Sequence, residues 1–337
     1  MAVSSPKTMD NGEVMSIPPF LSNCTAEAIR VAALALKAGH LVAFPTETVY
    51  GLGADARNAD AVKKIYEAKG RPTDHPLIVH ISSINQLDKW AIEIPEYAIE
   101  LARKYWPGPM TLVLRRSEIA EDFITGNQKT VGLRVPRDPI ALALITEFER
   151  ISGSAIAAPS ANRFGQVSPT SSADVYEELS TFLSPFDLIL EGSASEIGIE
   201  STIIDCTGER PSILRSGFIT KEEIEKELGI LTIELSKSNV IKFSGSFKKH
   251  YAPRCKIIIG PAEIEGAGFL ALSNVETPQG MDRLASPRSV EEFARVLYST
   301  FRNADQARID VLVVVPPNGK GLATAIIDRL EKSSEGR

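Results

Sequence analysis

A chain of 337 residues exceeds the usual size of a single hydrophobic core, so two domains are expected. With 43% hydrophobic and 24% charged residues it has the balance of an ordinary globular protein. The formal net charge of −6 argues against a generally basic, DNA-coating protein, while leaving room for a local basic groove.

Residues 1–16 lack a basic start followed by an apolar run and read as a flexible tail. No apolar stretch approaches the roughly 18 to 20 residues of a membrane span. Thr25 to Ala38 has Ile29, Ala32, Ala33 and Leu36 at helical spacing with Gly39 just past its end, and Leu41 to Phe44 follows as a short buried strand. Gly51-Leu52-Gly53 reads as a tight turn. Asn58 can cap a helix whose Val62, Ile65 and Tyr66 form an apolar stripe ending at Lys69-Gly70-Arg71. Further strands are expected at 77–81, 111–114, 130–135, 155–158, 187–190, 201–205 and 212–214, with helices near 96–105, 140–147 and 173–179. This is a mixed α/β domain with one large twisted sheet, assigned to 17–235.

From about Ser236 to Tyr251 the pattern stops in a polar, lysine-rich stretch, and 236–253 is taken as a linker. Strands at 256–259, 269–272 and 311–315 with helices near 290–301 and 322–331 then predict a small, doubly wound, Rossmann-like α/β unit over 254–337. Three widely separated cysteines, Cys24, Cys206 and Cys255, fit neither a disulfide framework nor a zinc site and point to a reducing cytoplasm.

Two short polar spacings carry the chemistry. In extended backbone, residues two apart point to one side, so Lys69 and Arg71 are expected to project together as a two-cation phosphate clamp, and Ser160 and Asn162 to pair a hydroxyl with an amide. The alternative for the cations is solvated charge at a helix end. Thr46 and Thr48 either face one pocket or close a hydroxyl turn on their own backbone. His75 and His80 flank an apolar run at a spacing unlike a metal site. Arg134 lies among Val131, Leu133 and Val135, where an unpaired charge is expensive; an amino-acid carboxylate or an internal Asp or Glu would satisfy it. Glu47, Glu191 and Glu200 are candidate acid/base or Mg2+ groups, though isolated carboxylates are usually solvated and none is marked as an essential base. No G-x-x-x-x-G-K-[ST] loop, G-x-G-x-x-G fingerprint or nucleophile elbow is present. Basic and uncharged donors without a nucleophile suggest a nucleotide-using enzyme that needs no covalent intermediate.

Phe44-Pro45-Thr46-Glu47-Thr48-Val49-Tyr50-Gly51-Leu52, Lys69-Gly70-Arg71-Pro72, Trp106-Pro107-Gly108-Pro109-Met110-Thr111, Arg134-Val135-Pro136, Ala158-Pro159-Ser160-Ala161-Asn162, Gly198-Ile199-Glu200-Ser201-Thr202 and Leu214-Arg215-Ser216-Gly217 resemble, in order, the signature blocks of the YrdC-like L-threonylcarbamoyladenylate synthases. Lys249-His250-Tyr251-Ala252-Pro253 and the α/β tail are similar to the longer, two-domain branch. Ser216, where proline is common, is a departure. The resemblance implies a YrdC-like catalytic domain that joins L-threonine, bicarbonate and ATP into L-threonylcarbamoyladenylate and pyrophosphate, with Mg2+ assisting. It implies Lys69, Arg71, Ser160 and Asn162 as catalytic groups. The nucleotide would meet these four together with His75, Thr130, Ser168, Arg215 and Tyr251. L-Threonine would meet Thr46, Thr48, His80, Arg134 and Ser201. No residues are assigned to a metal. The product would feed a tRNA threonylcarbamoyl-transfer complex acting on adenosine 37 of ANN-decoding tRNAs. The flexible stretch ending in Lys249-His250-Tyr251, an aromatic beside two bases, is expected to act as a lid over the pocket, the alternative being a passive tether. Two alternatives share the fold: a double-stranded RNA-binding module, and a carbamoyltransferase of the hydrogenase-maturation type, whose acylphosphatase segment and Cys-rich zinc motifs are missing here.

Overall fold

The computed structural model describes residues 20–21, 25–231, 233–234, 241–243, 245 and 250–334. The expected tail over 1–16, Cys24 and most of the expected linker lie outside them. Helix α1 (Ala26–Lys37) starts where Thr25 accepts from Ala28 N, and α2 (Ala59–Lys69) where Asn58 accepts from Ala61 N, as the capping residues foretell. The other helices of the first unit are α3 (Leu87–Trp90), α4 (Glu96–Tyr105), α5 (Asp122–Thr125), α6 (Pro139–Ser152), α7 (Ser172–Leu179) and α8 (Lys221–Leu228).

Its strands are β1 (Phe20–Leu21), β2 (Val42–Phe44), β3 (Gly51–Asp55), β4 (Ile78–His80), β5 (Ala91–Ile92), β6 (Met110–Arg116), β7 (Thr130–Arg134), β8 (Ile156–Ala157), β9 (Leu188–Leu190), β10 (Thr202–Asp205), β11 (Ser212–Arg215) and β12 (Ile233–Glu234). They form one mixed sheet in the order β1-β9-β2-β3-β8-β4-β7-β6-β10-β11-β12, with β5 beside β6. One core layer gathers Val79, Leu112, Val131, Leu133 and Ile204 against Val62, Ile65 and Leu101 of α2 and α4. A second packs α1 on α6 through Ile29, Leu36, Leu144 and Phe148.

Gly51-Leu52-Gly53 is a strand, not the tight turn its glycines suggest. β3 pairs antiparallel with β2 through Val42 opposite Gly53, and a side chain at Gly53 would come within 2.7 Å of Ile156 and 2.8 Å of the Phe44 ring. The glycine is there so that the neighbours can close over it.

The second unit has a four-stranded parallel sheet, β13 (Lys256–Ile259), β14 (Gly268–Leu270), β15 (Asp282–Ala285) and β16 (Val311–Val314), in the order β13-β16-β14-β15, with α9 (Val290–Gln306) and α10 (Leu322–Ser334). Both helices share one core with Ile257, Leu270, Leu312 and Val314. The opposite face, with Phe269 and Val313, is covered by Ala262, Ile264 and Val275 from loops. The unit is therefore wound on one face, not two, because β13, β14 and β15 are joined by loops without helices. Its helical face turns toward the first unit: Gly198 (φ +80) lets the α9 backbone approach so closely that an added Cβ would lie 2.5 Å from Arg295 Cα.

Candidate active site

Alternation along β4 and β7 sends Val79, Val131 and Leu133 into the main core, so Ile78, His80, Gly132 and Arg134 face the other way. Against that face lies a cavity whose walls include nine of the expected residues: Thr46, Thr48, Arg71, His80, Arg134, Ser160, Ser201, Arg215 and Tyr251. Glu200, Gly245 and His250 complete the side nearest the second unit. The cavity encloses about 540 Å3 with its mouth included, but only about 50 Å3 of that admits the centre of a water molecule.

The threonine-rich loop between β2 and β3 closes on itself. Thr46 Oγ1 accepts from Thr48 N and Val49 N (3.2 Å each) and lies 2.6 Å from Val49 O, the hydroxyl turn weighed from sequence. Thr48 Oγ1 accepts instead from Arg134 Nη2 at 2.9 Å. Arg134 also donates from Nη2 to Glu47 Oε1 (2.8 Å) and from Nε to Gly108 O (3.3 Å), while Glu47 Oε2 accepts from Arg137 N (3.0 Å). The internal carboxylate partner of Arg134 is thus Glu47, and both are buried. Arg134 Nη1 makes no hydrogen bond among the described residues.

The two polar pairs are not the extended segments expected. Lys69 is the last residue of α2 and Gly70 turns left-handed at φ 60, so Lys69 and Arg71 diverge. Lys69 Nζ donates to the carbonyl oxygens of Ser160 (2.5 Å) and Asn162, and burial followed by the Arg71 charge holds its pKa well below the usual lysine value. It thereby joins the two motifs from behind the wall. Arg71 lines the cavity and donates from Nη2 to Pro76 O at 3.0 Å; burial lowers its pKa to about 10. Ser160 Oγ donates to Asn162 Oδ1 (2.5 Å), and the Asn162 amide donates to Arg163 O (2.7 Å) and Gln166 O (2.9 Å), folding that loop.

Three further expected contacts stand off the wall. His75 packs edge-on against Phe164 at 5.7 Å, with its pKa pulled to about 4 by burial and then by Arg71. Thr130 lines a separate small cavity with Thr111, Gln128 and Lys242. Ser168 donates to Glu200 Oε1 at 2.7 Å. On the far side, Arg215 donates from Nε to Ser201 O (3.0 Å) and from Nη2 to Ser201 Oγ (3.1 Å), and that hydroxyl lies 2.8 Å from Thr111 Oγ1.

Burial, reinforced by Arg134, keeps His80 neutral with a pKa of about 3, and burial does the same for His250. The positive charge of the cavity is therefore carried by its arginines. Tyr251 is fully buried at φ 63, its ring stacked on Tyr298 at 5.6 Å, and its hydroxyl has no hydrogen-bond partner among the described residues. Sequence reasoning treated Glu200 as an isolated carboxylate and passed over Tyr298 and Arg329. Arg329 reaches Glu200 from 129 residues away, and nothing local signals it.

A family model described as telomere recombination, Sua5/YciO/YrdC, matches residues 34–217, more than half of the chain. The chain belongs to the Sua5/YciO/YrdC family. A second model, described as threonylcarbamoyl-AMP synthase, C-terminal domain, matches residues 219–335, so the two-domain branch of the family is the relevant one. The threonylcarbamoyl-AMP synthase of Pyrococcus abyssi is 42% identical over 328 residues, covering 91% of this chain and 94% of that protein. That of Bacillus subtilis is 39% identical, covering 92% and 93%. The crystal structure of P. abyssi Sua5 complexed with L-threonine superposes with a TM-score of 0.82 at 40% identity, over 92% of this chain and 95% of that one. The RNA-binding and hydrogenase-maturation alternatives are not favoured by these likenesses.

Proposed function

We propose that this member of the Sua5/YciO/YrdC family is a nucleotidyltransferase that makes L-threonylcarbamoyladenylate and pyrophosphate from L-threonine, bicarbonate and ATP. The observation that carries the reading is the convergence of Arg71, Arg134 and Arg215 with neutral hydroxyl and imidazole groups on one cavity, in a chain like named threonylcarbamoyl-AMP synthases along most of its length. The threonine amine displaces water from bicarbonate to give a carbamate. A carbamate oxygen then attacks the α-phosphorus, and pyrophosphate leaves. Such a reaction asks for positioning and charge neutralisation more than for a nucleophile.

In this reading the threonine carboxylate meets Arg134 Nη1, held in place by Glu47, Thr48 and Gly108. Thr46, Thr48, neutral His80 and Ser201 surround the amino acid. Arg71 and Arg215 hold the phosphates, Ser160 orients the reacting groups, and the unpartnered Tyr251 hydroxyl donates to the nucleotide. Lys69, His75, Asn162 and Ser168 act through the loops they brace, and Thr130 through the neighbouring small cavity.

The open volume is too small for ATP as it stands, so a wall moves to admit it. Gly245, His250 and Tyr251 reach the wall from the chain between β12 and β13, which joins the two units, and they are the candidates for the lid. Among the described residues no cluster of three or more His, Cys, Asp or Glu is placed to hold a metal, and both Glu200 oxygens are engaged by protein donors. In this scheme any Mg2+ would be held chiefly by the ATP phosphates and would supply charge neutralisation there. The product goes to a tRNA threonylcarbamoyl-transfer complex in the cytoplasm. Among the described residues no helix is long and apolar enough to cross a membrane.

The test is pyrophosphate release by the full chain with each substrate omitted in turn. Release that needs ATP, threonine and bicarbonate together supports the assignment. Release indifferent to threonine overturns it.

A further inference from the structure

A carboxylate in a site for a polyanion calls for an explanation, and Glu200 is the one acid among the described residues lining the cavity. It is buried, and its oxygens take hydrogen bonds from three side chains. Ser168 donates at 2.7 Å from the first unit, while Tyr298 Oη of α9 (2.9 Å) and Arg329 Nε of α10 (2.9 Å) come from the second. Arg329 is itself fully buried and also donates from Nη2 to Ser216 O (2.9 Å), the carbonyl after Arg215. Its guanidinium lies 5.3 Å from the Tyr251 ring centroid. The remaining charge on that helix is balanced locally, because Asp328 is paired with both Arg329 and Lys332. Buried charges of opposite sign at this distance neutralise one another far more than an exposed pair would.

We propose that Arg329 is a positioning residue of the nucleotide site, cancelling the Glu200 charge so that Glu200 does not offset the positive field that Arg71 and Arg215 present to ATP. The second unit thereby becomes part of the catalytic apparatus: without Arg329 docked under the cavity, Glu200 repels the phosphates. The groups facing Glu200 are Ser168, Arg215, His250, Tyr251, Tyr298 and Arg329; Arg329 forms the ion pair with it at 2.9 Å, and the Arg215 charge adds to the positive field around it. The inference rests on reading the cavity as the ATP site and adds the role of the second unit to it.

The experiment is calorimetry of ATP and, separately, of L-threonine on the full-length chain and three variants, with thermal melts to score folding. Arg329→Met is expected to weaken ATP binding at least about tenfold while threonine affinity stays within about twofold. Arg329→Met combined with Glu200→Gln removes both charges and is expected to recover ATP affinity to within about threefold of the parent, a rescue that a merely structural arginine would not give. Glu200→Gln alone leaves an uncompensated cation and is expected to bind ATP more tightly, which decides the matter should Arg329→Met fail to fold. A folded Arg329→Met chain with parental ATP affinity, an unrescued double variant, or weaker ATP binding by Glu200→Gln overturns the proposal. Failure of the unsubstituted chain to bind ATP overturns the underlying reading of the cavity and the proposal with it.

Discussion

Replacing Arg134 by lysine separates recognition of threonine from stability of the fold. The guanidinium now serves Glu47, Thr48 and Gly108 at once, leaving Nη1 for the carboxylate proposed to bind there. Lysine keeps the charge opposite Glu47, so the large penalty of an abandoned buried carboxylate, about 3–5 kcal/mol, is avoided. What it cannot keep is the fork. Loss of the bonds to Thr48 and Gly108 costs about 1 kcal/mol each, a modest loss in stability. If the ammonium stays with Glu47, no charged donor is left for threonine, and one charge-assisted contact of about 1.5–3 kcal/mol disappears, roughly a tenfold to hundredfold loss of affinity. Calorimetry with L-threonine, paired with a denaturant titration, measures both quantities on one sample. Threonine affinity unchanged in a variant destabilised by about 2 kcal/mol would show that Arg134 serves only the loop, and the substrate assignment would fall.

Arg71→Ala should weaken ATP binding by a similar tenfold to hundredfold factor and leave threonine binding intact, as calorimetry with each ligand would show. Tyr251→Phe removes a buried hydroxyl that has no partner among the described residues, so the variant should be as stable as the parent or more so in denaturant, yet turn over ATP more slowly. Stability should fall as pH is lowered from about 6.5 toward about 3. His80 and His250 have folded pKa values of about 3, below the unfolded 6.5, so across that window the unfolded chain binds more protons and acid favours it. Glu200 acts in the same direction at the acid end: Arg329 and Arg215 outweigh its burial and hold it at about 2 against 4.5. His80→Asn should flatten part of this slope; an unchanged profile would place the titration elsewhere.

Local signals were enough for the helices with strong caps and stripes. Thr25 and Asn58 sit at the starts they imply, and Arg134 and His80 leave their strands on the face that alternation dictates. Helix α8 went unread because only Ile224 of it is buried, although Thr220 and Glu223 form a capping box that could have revealed it. β15 is polar and only partly buried, so its pattern is faint. The Gly51-Leu52-Gly53 strand was hidden for a different reason: its glycines answer to Phe44 and Ile156 in other strands, a requirement that no local window contains. The site divides the same way. Residue types and motifs named the groups around the cavity, but the partners that decide their roles lie far along the chain. Lys69 is held behind the cavity wall by carbonyls 91 and 93 residues away, and Glu200 is paired from the last helix.

The central claim is that a carbamate, and not the threonine carboxylate, attacks the nucleotide in this cavity. Mass spectrometry of the nucleotide product formed from ATP, L-threonine and 13C-bicarbonate tests it directly. The account predicts a threonylcarbamoyl adenylate carrying one 13C for each pyrophosphate released. An unlabelled threonyl adenylate, or AMP and pyrophosphate with no labelled adduct, would contradict it.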